Sequence, residues 1–455
     1  MKFVIDFIIQ LLSNPAILLS LYVMAGMLVR KKDWSDIITS MIKTILGYKL
    51  ISGSGTFLVD SLGPLNSMTS DVMGFTGIVA SNEGAFGAAG DTYGVALSGI
   101  IVIAMFVNLL LARFTKFSFI FLTGHEMMWI ATCCAFLFTN MGFPTWQIIV
   151  AGGLVCGAYM AVMPSLVYED VCEITQTREI SIAHSGTFFY WIAGRVGKLF
   201  GDKSHSTEDM NIPEKMRFLR DWNVSLSLVM FAIYVIVSII CLIVKPEVVS
   251  NAFGAGTNFI IGSINYALEF TMGIFILMAG VRMVVGEITP SFQGLSEKLV
   301  PNAVAGLDIP VVFPYYPTGV LVSFFVCTIA YLVAFVVNIA INQADPTFPV
   351  VLPSLIGSFY LGATYGCVAN ATGGRRGAIL AAALVGFVSH FVPALLIKYG
   401  SVVIEGITFG NSDAALVSIP LYQLGKLLGP NMFYFVIAAF LAVVVIGVLG
   451  KKKNA

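Results

Sequence analysis

Runs of about twenty or more mostly apolar residues recur along this chain, at 3–29, 93–112, 222–244 and 430–450. Each is long enough to cross the roughly 30 Å hydrocarbon core of a bilayer. Inside that core an open sheet edge leaves peptide groups without partners, so helices are the spanning form to expect. Composition agrees, because 58% of the 455 residues are hydrophobic and only 11% are Asp, Glu, Lys or Arg. An ordinary soluble domain carries about 25% charged residues. The expected class is an all-α membrane protein, one membrane-embedded unit spanning 1–455 with about eleven transmembrane helices. These are placed near 3–29, 41–62, 93–112, 117–139, 145–168, 222–244, 257–286, 317–342, 349–369, 377–399 and 430–450.

The first apolar run is too long for a secretion signal, has no small-x-small cleavage site and ends in Arg30-Lys31-Lys32, so an uncleaved first helix is expected. Basic residues gather after the first span, after the third (Arg113, Lys116) and after the last (Lys451 to Lys453). Such clusters favour the cytoplasmic side. An odd number of spans then places the N-terminus outside and the C-terminus inside. Formal net charge is zero, which implies no nucleic-acid partner. The seven cysteines lie mostly in apolar segments with no C-x-x-C pair, so neither a disulfide framework nor a metal site is supported. No cofactor is expected.

Between the spans lie four pieces too polar or too rich in glycine to face lipid: 71–91, 171–195, 288–316 and 400–429. Such pieces survive at membrane depth where they are buried in protein or line a wet cavity. Re-entrant hairpins of this kind form the binding site of many transporters, though surface loops would read the same way. They also recur. LISG at 50–53 matches LMAG at 277–280, Gly77-Ile78 matches Gly306-Leu307, and Pro164-Ser165-Leu166 matches Pro393-Ala394-Leu395. The near-constant spacing predicts an inverted repeat, with 1–195 as the first structural repeat and 222–455 as the second. The cytoplasmic loop 196–221 would join them.

Ionisable residues at membrane depth are functional candidates by default. His125 and Glu126 stand in LTGHEMMW, where His125 and Trp129 are four residues apart and share a helix face. An imidazole beside an aromatic ring suits a hydroxylated solute. His184, Ser185 and Thr187 stand in SIAHSGTFFYW, and a neutral histidine both donates and accepts. Asp308 is flanked by Pro301, Pro310 and Pro314, which break any helix there. Asn82 and Glu83 occupy nearly the same place in the first half. A structural ion pair is the plainer reading for Asp308, for instance with Arg282, and Glu287 offers a further charge. No hydrolase, zincin or phosphate-loop motif is present, so a transport role is expected rather than an enzyme.

With these residues in view, the chain resembles the ascorbate-specific enzyme IIC of the bacterial phosphotransferase system, in the ascorbate/galactitol superfamily. The resemblance rests on LTGH at 122–125, SIAH at 181–184, KLFGDKSHSTEDMNIPE at 198–214, GVRMVVGEITPSFQGLSEKLVPNAVAGLD at 280–308 and VANATGGRRGA at 368–378. It implies a homodimer in the bacterial inner membrane, with a scaffold and a core that moves as an elevator. It further implies partner enzymes IIA and IIB, with IIB phosphorylating the solute and this subunit itself not phosphorylated. His125, His184 and Asp308 fall on substrate-contacting positions of the family. The sequence departs from the family at Trp129 and Ser185, where glutamines stand, and at Asn82-Glu83, where a Thr-Tyr pair stands. The expected solute is therefore ascorbate, a related sugar acid or a polyol, bound by His125, Trp129, His184, Ser185, Asp308, Asn82 and Glu83. Lys198, Lys203, Lys215 and Arg217 are expected to dock enzyme IIB. Two other classes stay open: an ion-coupled carrier using Glu83, Asp308 and Glu126, and a membrane protein that binds partners without transport.

Overall fold

A run of apolar residues folds as a helix in a bilayer only while it continues unbroken, and this chain breaks its helices repeatedly with short extended segments. The computed structural model describes residues 15–74, 77–210, 221–300, 303–402 and 406–454. The first half contains α1 (Pro15–Val29), α2 (Trp34–Met73), β1 (Ile78–Ala80) and α3 (Asn82–Phe114). It continues through β2 (Phe119–Phe121), α4 (Gly124–Asn140), α5 (Thr145–Val162), α6 (Pro164–Thr175), β3 (Ile180–Ile182) and α7 (Thr187–Phe200). The second half contains α8 (Trp222–Val244), α9 (Pro246–Phe253), α10 (Phe259–Leu299), β4 (Val304–Leu307) and a 3₁₀ turn at Ile309–Tyr315. It closes with α11 (Pro317–Ala344), β5 (Val351–Leu352), α12 (Leu355–Gly400), β6 (Ile407–Thr408), α13 (Ser412–Leu428) and α14 (Met432–Asn454).

Seven segments among the described residues are long and apolar enough to cross a membrane. The chain is thus a multi-pass, all-α membrane protein with short strands between its helices. Phe106, Leu110, Ile236, Ile243, Val336 and Ile446 are exposed on these helices, as lipid-facing side chains should be. Several expected spans take another form. The stretch 117–139 begins as β2 and continues as the 17-residue α4. The spans expected at 349–369 and 377–399 fuse into α12, which is kinked where Gly373 and Gly374 leave helical geometry. Only part of the first span, from Pro15, lies within the described residues.

The same order of elements occurs twice. α2 and α10 are 40 and 41 residues long, and each carries one internal proline, Pro64 and Pro290. Each is followed by a strand, a long helix and a second strand. The six strands form two parallel three-stranded sheets in the orders β5-β1-β6 and β2-β4-β3. Each half therefore supplies the central strand of one sheet and both edges of the other. Val79 at the centre of one sheet pairs with Leu352 and Ile407. Ala305 at the centre of the other pairs with Ile120 and Ile180. Neither half can complete its backbone hydrogen bonds alone.

Small residues let the helices approach closely, as they do in membrane bundles generally. A Cβ on Gly157 of α5 would lie 2.5 Å from the Val107 side chain of α3, and one on Gly366 of α12 would overlap Ser323 of α11. After α7 the chain does not leave as a free connector. Asp202 N–H donates to Gly373 O (2.8 Å) and Arg375 N–H donates to His205 O (2.7 Å), locking residues 202–205 into the α12 kink. Thr207 N–H donates to Asn370 Oδ1 at 2.9 Å. The Glu208 carboxylate accepts from Thr318 and Gly319 N–H at the start of α11 (3.2 and 3.0 Å), a favourable place for an anion. Hydrogen bonds from Ser204 hold the Asp202 carboxyl below its usual range.

Gly374 is required twice over. Its φ of +59° disfavours a side chain, and a Cβ there would lie 2.1 Å from Asp202 O. Gly142 also has a positive φ (+77°) but nothing within 4 Å of its Cβ position. Gly142→Ala should therefore cost about 1 kcal/mol of left-handed strain, whereas Gly374→Ala adds displacement of the 202–205 loop. Thermal unfolding midpoints in detergent should fall clearly further for Gly374→Ala.

Candidate functional site

Each strand runs directly into a helix or 3₁₀ start: β1 into α3, β2 into α4, β3 into α7, β4 into the 309–315 turn, β5 into α12 and β6 into α13. These six junctions surround one cavity of about 330 Å³, at the lower end of the range for small-molecule sites. Its wall includes Asn82 and Glu83 after β1, His125, Glu126 and Trp129 after β2, and His184 after β3. Asp308 follows β4, Ser354 follows β5 and Asn411 follows β6; Arg282 and Tyr360 complete the polar lining.

Glu126 is the hub. It sits in the first turn of α4, where a negative charge is favoured by the helix dipole, and only 1% of its surface is exposed. Its Oε2 accepts from the Ser185 N–H at 2.7 Å. Its Oε1 lies 3.0 Å from His184 Nε2 and 3.6 Å from His125 Nε2. The tautomer of His184 follows from its other nitrogen. Gly186 N–H points at Nδ1 (3.0 Å) and a backbone N–H can only donate, so Nδ1 accepts. The Tyr190 hydroxyl lies 2.8 Å from that same nitrogen. The ring proton therefore sits on Nε2 and is donated to Glu126 Oε1, which leaves His184 neutral.

His125 spans the cavity from Glu126 to Asp308, whose Oδ2 is 3.5 Å from His125 Nε2. Asp308 thus pairs with His125 rather than with Arg282, while Glu287 pairs with Lys43 at 3.3 Å. The His125 ring packs against Trp129 one turn along α4, with centroids 5.9 Å apart. Trp129 in turn meets Phe86 edge-on. His125 Nδ1 and His390 Nε2 are buried without a hydrogen-bond partner.

Of the residues expected to contact a solute, the cavity brings together Asn82, Glu83, His125, Trp129, His184 and Asp308. Ser185 stands behind the wall. It is buried, its N–H is given to Glu126, and its Oγ accepts from Asn411 Nδ2 at 2.6 Å. Asp413, deeper still, accepts from the Tyr159 hydroxyl (2.7 Å) and from Phe188 N–H (3.1 Å), joining α13 to α5 and α7. The residues expected to dock a partner lie elsewhere. Lys198 and Arg195 bracket the buried Asp170 at 2.9 and 3.2 Å, and Lys203 pairs with Glu173. Lys215 and Arg217 lie outside the described residues. Among the described residues no cluster of metal-ligating side chains is present.

Sequence reading passed over Ser354, Asn411 and Tyr360, and named Arg282 only as a possible partner of Asp308. Ser354 and Asn411 carry no sequence signal, because strand register brings them to the wall. The strand registers place Asn411 opposite His184 in the repeated order, and Ser354 opposite Leu122.

The sequence profile of the family described as "PTS system sugar-specific permease component" matches residues 10–413. A curated relative, the "Ascorbate-specific PTS system EIIC component" of Mycoplasma pneumoniae, is 26% identical over 432 aligned residues, covering 85% of this chain and 65% of the relative. The chain thus spans a little under two thirds of that relative's length.

Replacing Glu126 with Ala would leave two buried donors, Ser185 N–H and His184 Nε2–H, without their acceptor. Each orphaned group costs about 1–3 kcal/mol. His125→Ala removes a ring whose Nδ1 bonds nothing. Thermal unfolding in detergent should therefore show the larger loss for Glu126→Ala.

Proposed function

The chain belongs to the family of sugar-specific permease components of the phosphotransferase system, and from that membership we propose that it carries a small polyhydroxylated solute across the membrane. The solute class is L-ascorbate, a related sugar acid or a polyol, handed to enzyme IIB for phosphorylation, with IIA upstream. Components of this kind carry the solute, and phosphoryl transfer is the work of other subunits. The observation that carries the reading is the convergence of both halves of the chain on one cavity lined with imidazole, carboxylate and aromatic groups. A site shared between two like halves can be exposed to either side as the halves shift. The proposal includes two structural repeats, 1–195 and 222–455, related by an inverted axis, with the N-terminus outside and the C-terminus cytoplasmic. It also includes a homodimer in the inner membrane, built from a scaffold and an elevator-type core.

If phosphorylation drives uptake, accumulation of solute by cells should persist with a protonophore and stop when enzyme IIB is deleted. Collapse with the proton gradient and indifference to enzyme IIB would instead favour an ion-coupled carrier using Glu83, Glu126 and Asp308.

Lys198, Lys203, Lys215 and Arg217 are proposed to contribute to docking enzyme IIB. Steering by charge acts on association rate and is screened beyond about 8 Å at physiological salt. Lys198 and Lys203 are also tied to Asp170 and Glu173. Changing all four to Gln should slow phosphorylation-coupled uptake while solute affinity of the purified protein stays unchanged. An equal fall in both would make this segment a structural clasp.

A further inference from the structure

The charge of the cavity narrows the solute class. Three carboxylates face it, Glu83, Glu126 and Asp308. The cationic groups that can answer them are Arg282 and, when protonated, His125. His184 is held neutral by the Gly186 N–H on its Nδ1. His390 packs edge-on against Tyr331 and Phe391 with its Nε2 unpartnered, so a second proton on it would be buried without an acceptor. Among the described lining residues Arg282 is thus the one permanent cation, beside three acidic side chains.

Helix starts around a cavity are ordinarily anion sites, because their free N–H groups and dipoles favour negative charge. Here the protein's own side chains have taken that role. Ser81 Oγ accepts from Gly84 N–H (3.0 Å), Ser354 Oγ from Gly357 N–H (3.1 Å) and Asp308 Oδ1 from Ile309 N–H (2.8 Å). Asn82 Oδ1 accepts from Gly410 N–H at 2.8 Å, and Asp413 Oδ1 from Phe188 N–H at the start of α7. Glu126 holds the Ser185 N–H. An entering anion would meet acidic side chains, and three of the six starts are already capped by Ser81, Ser354 and Asp308. A neutral polyol would meet carboxylate oxygens able to accept from its hydroxyls, an imidazole, and the Trp129 face for its C–H edges.

We propose that this cavity selects an uncharged polyhydroxy solute and rejects the corresponding sugar acid, ascorbate included, since ascorbate is an anion at neutral pH. The inference rests on the transport reading above and sharpens it.

The test is direct binding to the purified full-length protein in lipid nanodiscs at neutral pH. Probes are paired so that they differ in charge: sorbitol with gluconate, xylitol with xylonate, and L-ascorbate alone. At least one neutral member should bind about tenfold or more tighter than its acid and than ascorbate. That ratio is about 1.4 kcal/mol, within what one like-charge contact near a protein surface exerts. Glu83→Gln and Asp308→Asn should each narrow the neutral-to-acid ratio, a change that loss of folding alone would not produce. Equal or tighter binding of an acid or of ascorbate overturns the inference, as does failure of every neutral probe to bind. Neither result bears on the transport reading, which the enzyme IIB deletion tests by itself.

Discussion

A peptide group without a hydrogen bond costs several kcal/mol in hydrocarbon, and the architecture answers that constraint at every place where a helix stops. The chain leaves helical geometry at six short strands, and each finds its partners in the other half of the sequence. β1 would be an unpaired segment without β5 and β6, and β4 without β2 and β3. The two halves are thus bound together by backbone need before any side chain is considered. Asn108 shows the same logic at one residue: its amide donates to Phe119 O and its Oδ1 accepts from Phe121 N–H, covering the outer edge of β2. Asn338 does this for β5, accepting from Val351 N–H and donating to Pro349 O.

The site follows from this arrangement. A parallel sheet brings strand ends of one polarity to the same side, and every strand here continues into a helix start. Six backbone turns are thereby gathered around one cavity. Ser81, Ser354 and Asp308 cap three of these starts, and Glu126 lies in the first turn of α4. The polar lining of the cavity is in large part the capping chemistry of the helices that enclose it. This is why a residue such as Ser185 can be indispensable to the wall without touching its contents.

Much of this was legible in the sequence, and the limits have physical causes. The class of fold and the four polar interruptions could both be read from patterning. β1, β3, β4 and β6 fall inside the interruptions at 71–91, 171–195, 288–316 and 400–429. β2 and β5 could not be seen, because FIF and VL inside apolar runs look the same as helix. For that reason 117–139 and 349–369 read as whole spans. His125 and His184 stood out as rare ionisable residues in apolar surroundings. Asn411 and Ser354 did not, because their importance comes from strand register, which links positions more than two hundred residues apart. Lys198 read as a free cation because its partner, Asp170, lies in a different helix and is buried only after folding.

Much of the polar lining is committed to the fold, which suits the proposed role in carrying a solute. Binding must be strong enough to load the solute and weak enough to release it on the other side. The hydrogen-bonding capacity of Glu126, Ser185 and Asn82 is committed to the protein. Capacity remains at the wall in the Glu83, Asp308, Arg282 and Tyr360 side chains. The rigid members fix the shape and the charge of the cavity, and the uncommitted ones supply a modest number of contacts. On the proposed reading, selectivity comes from what the walls exclude more than from how tightly they grip.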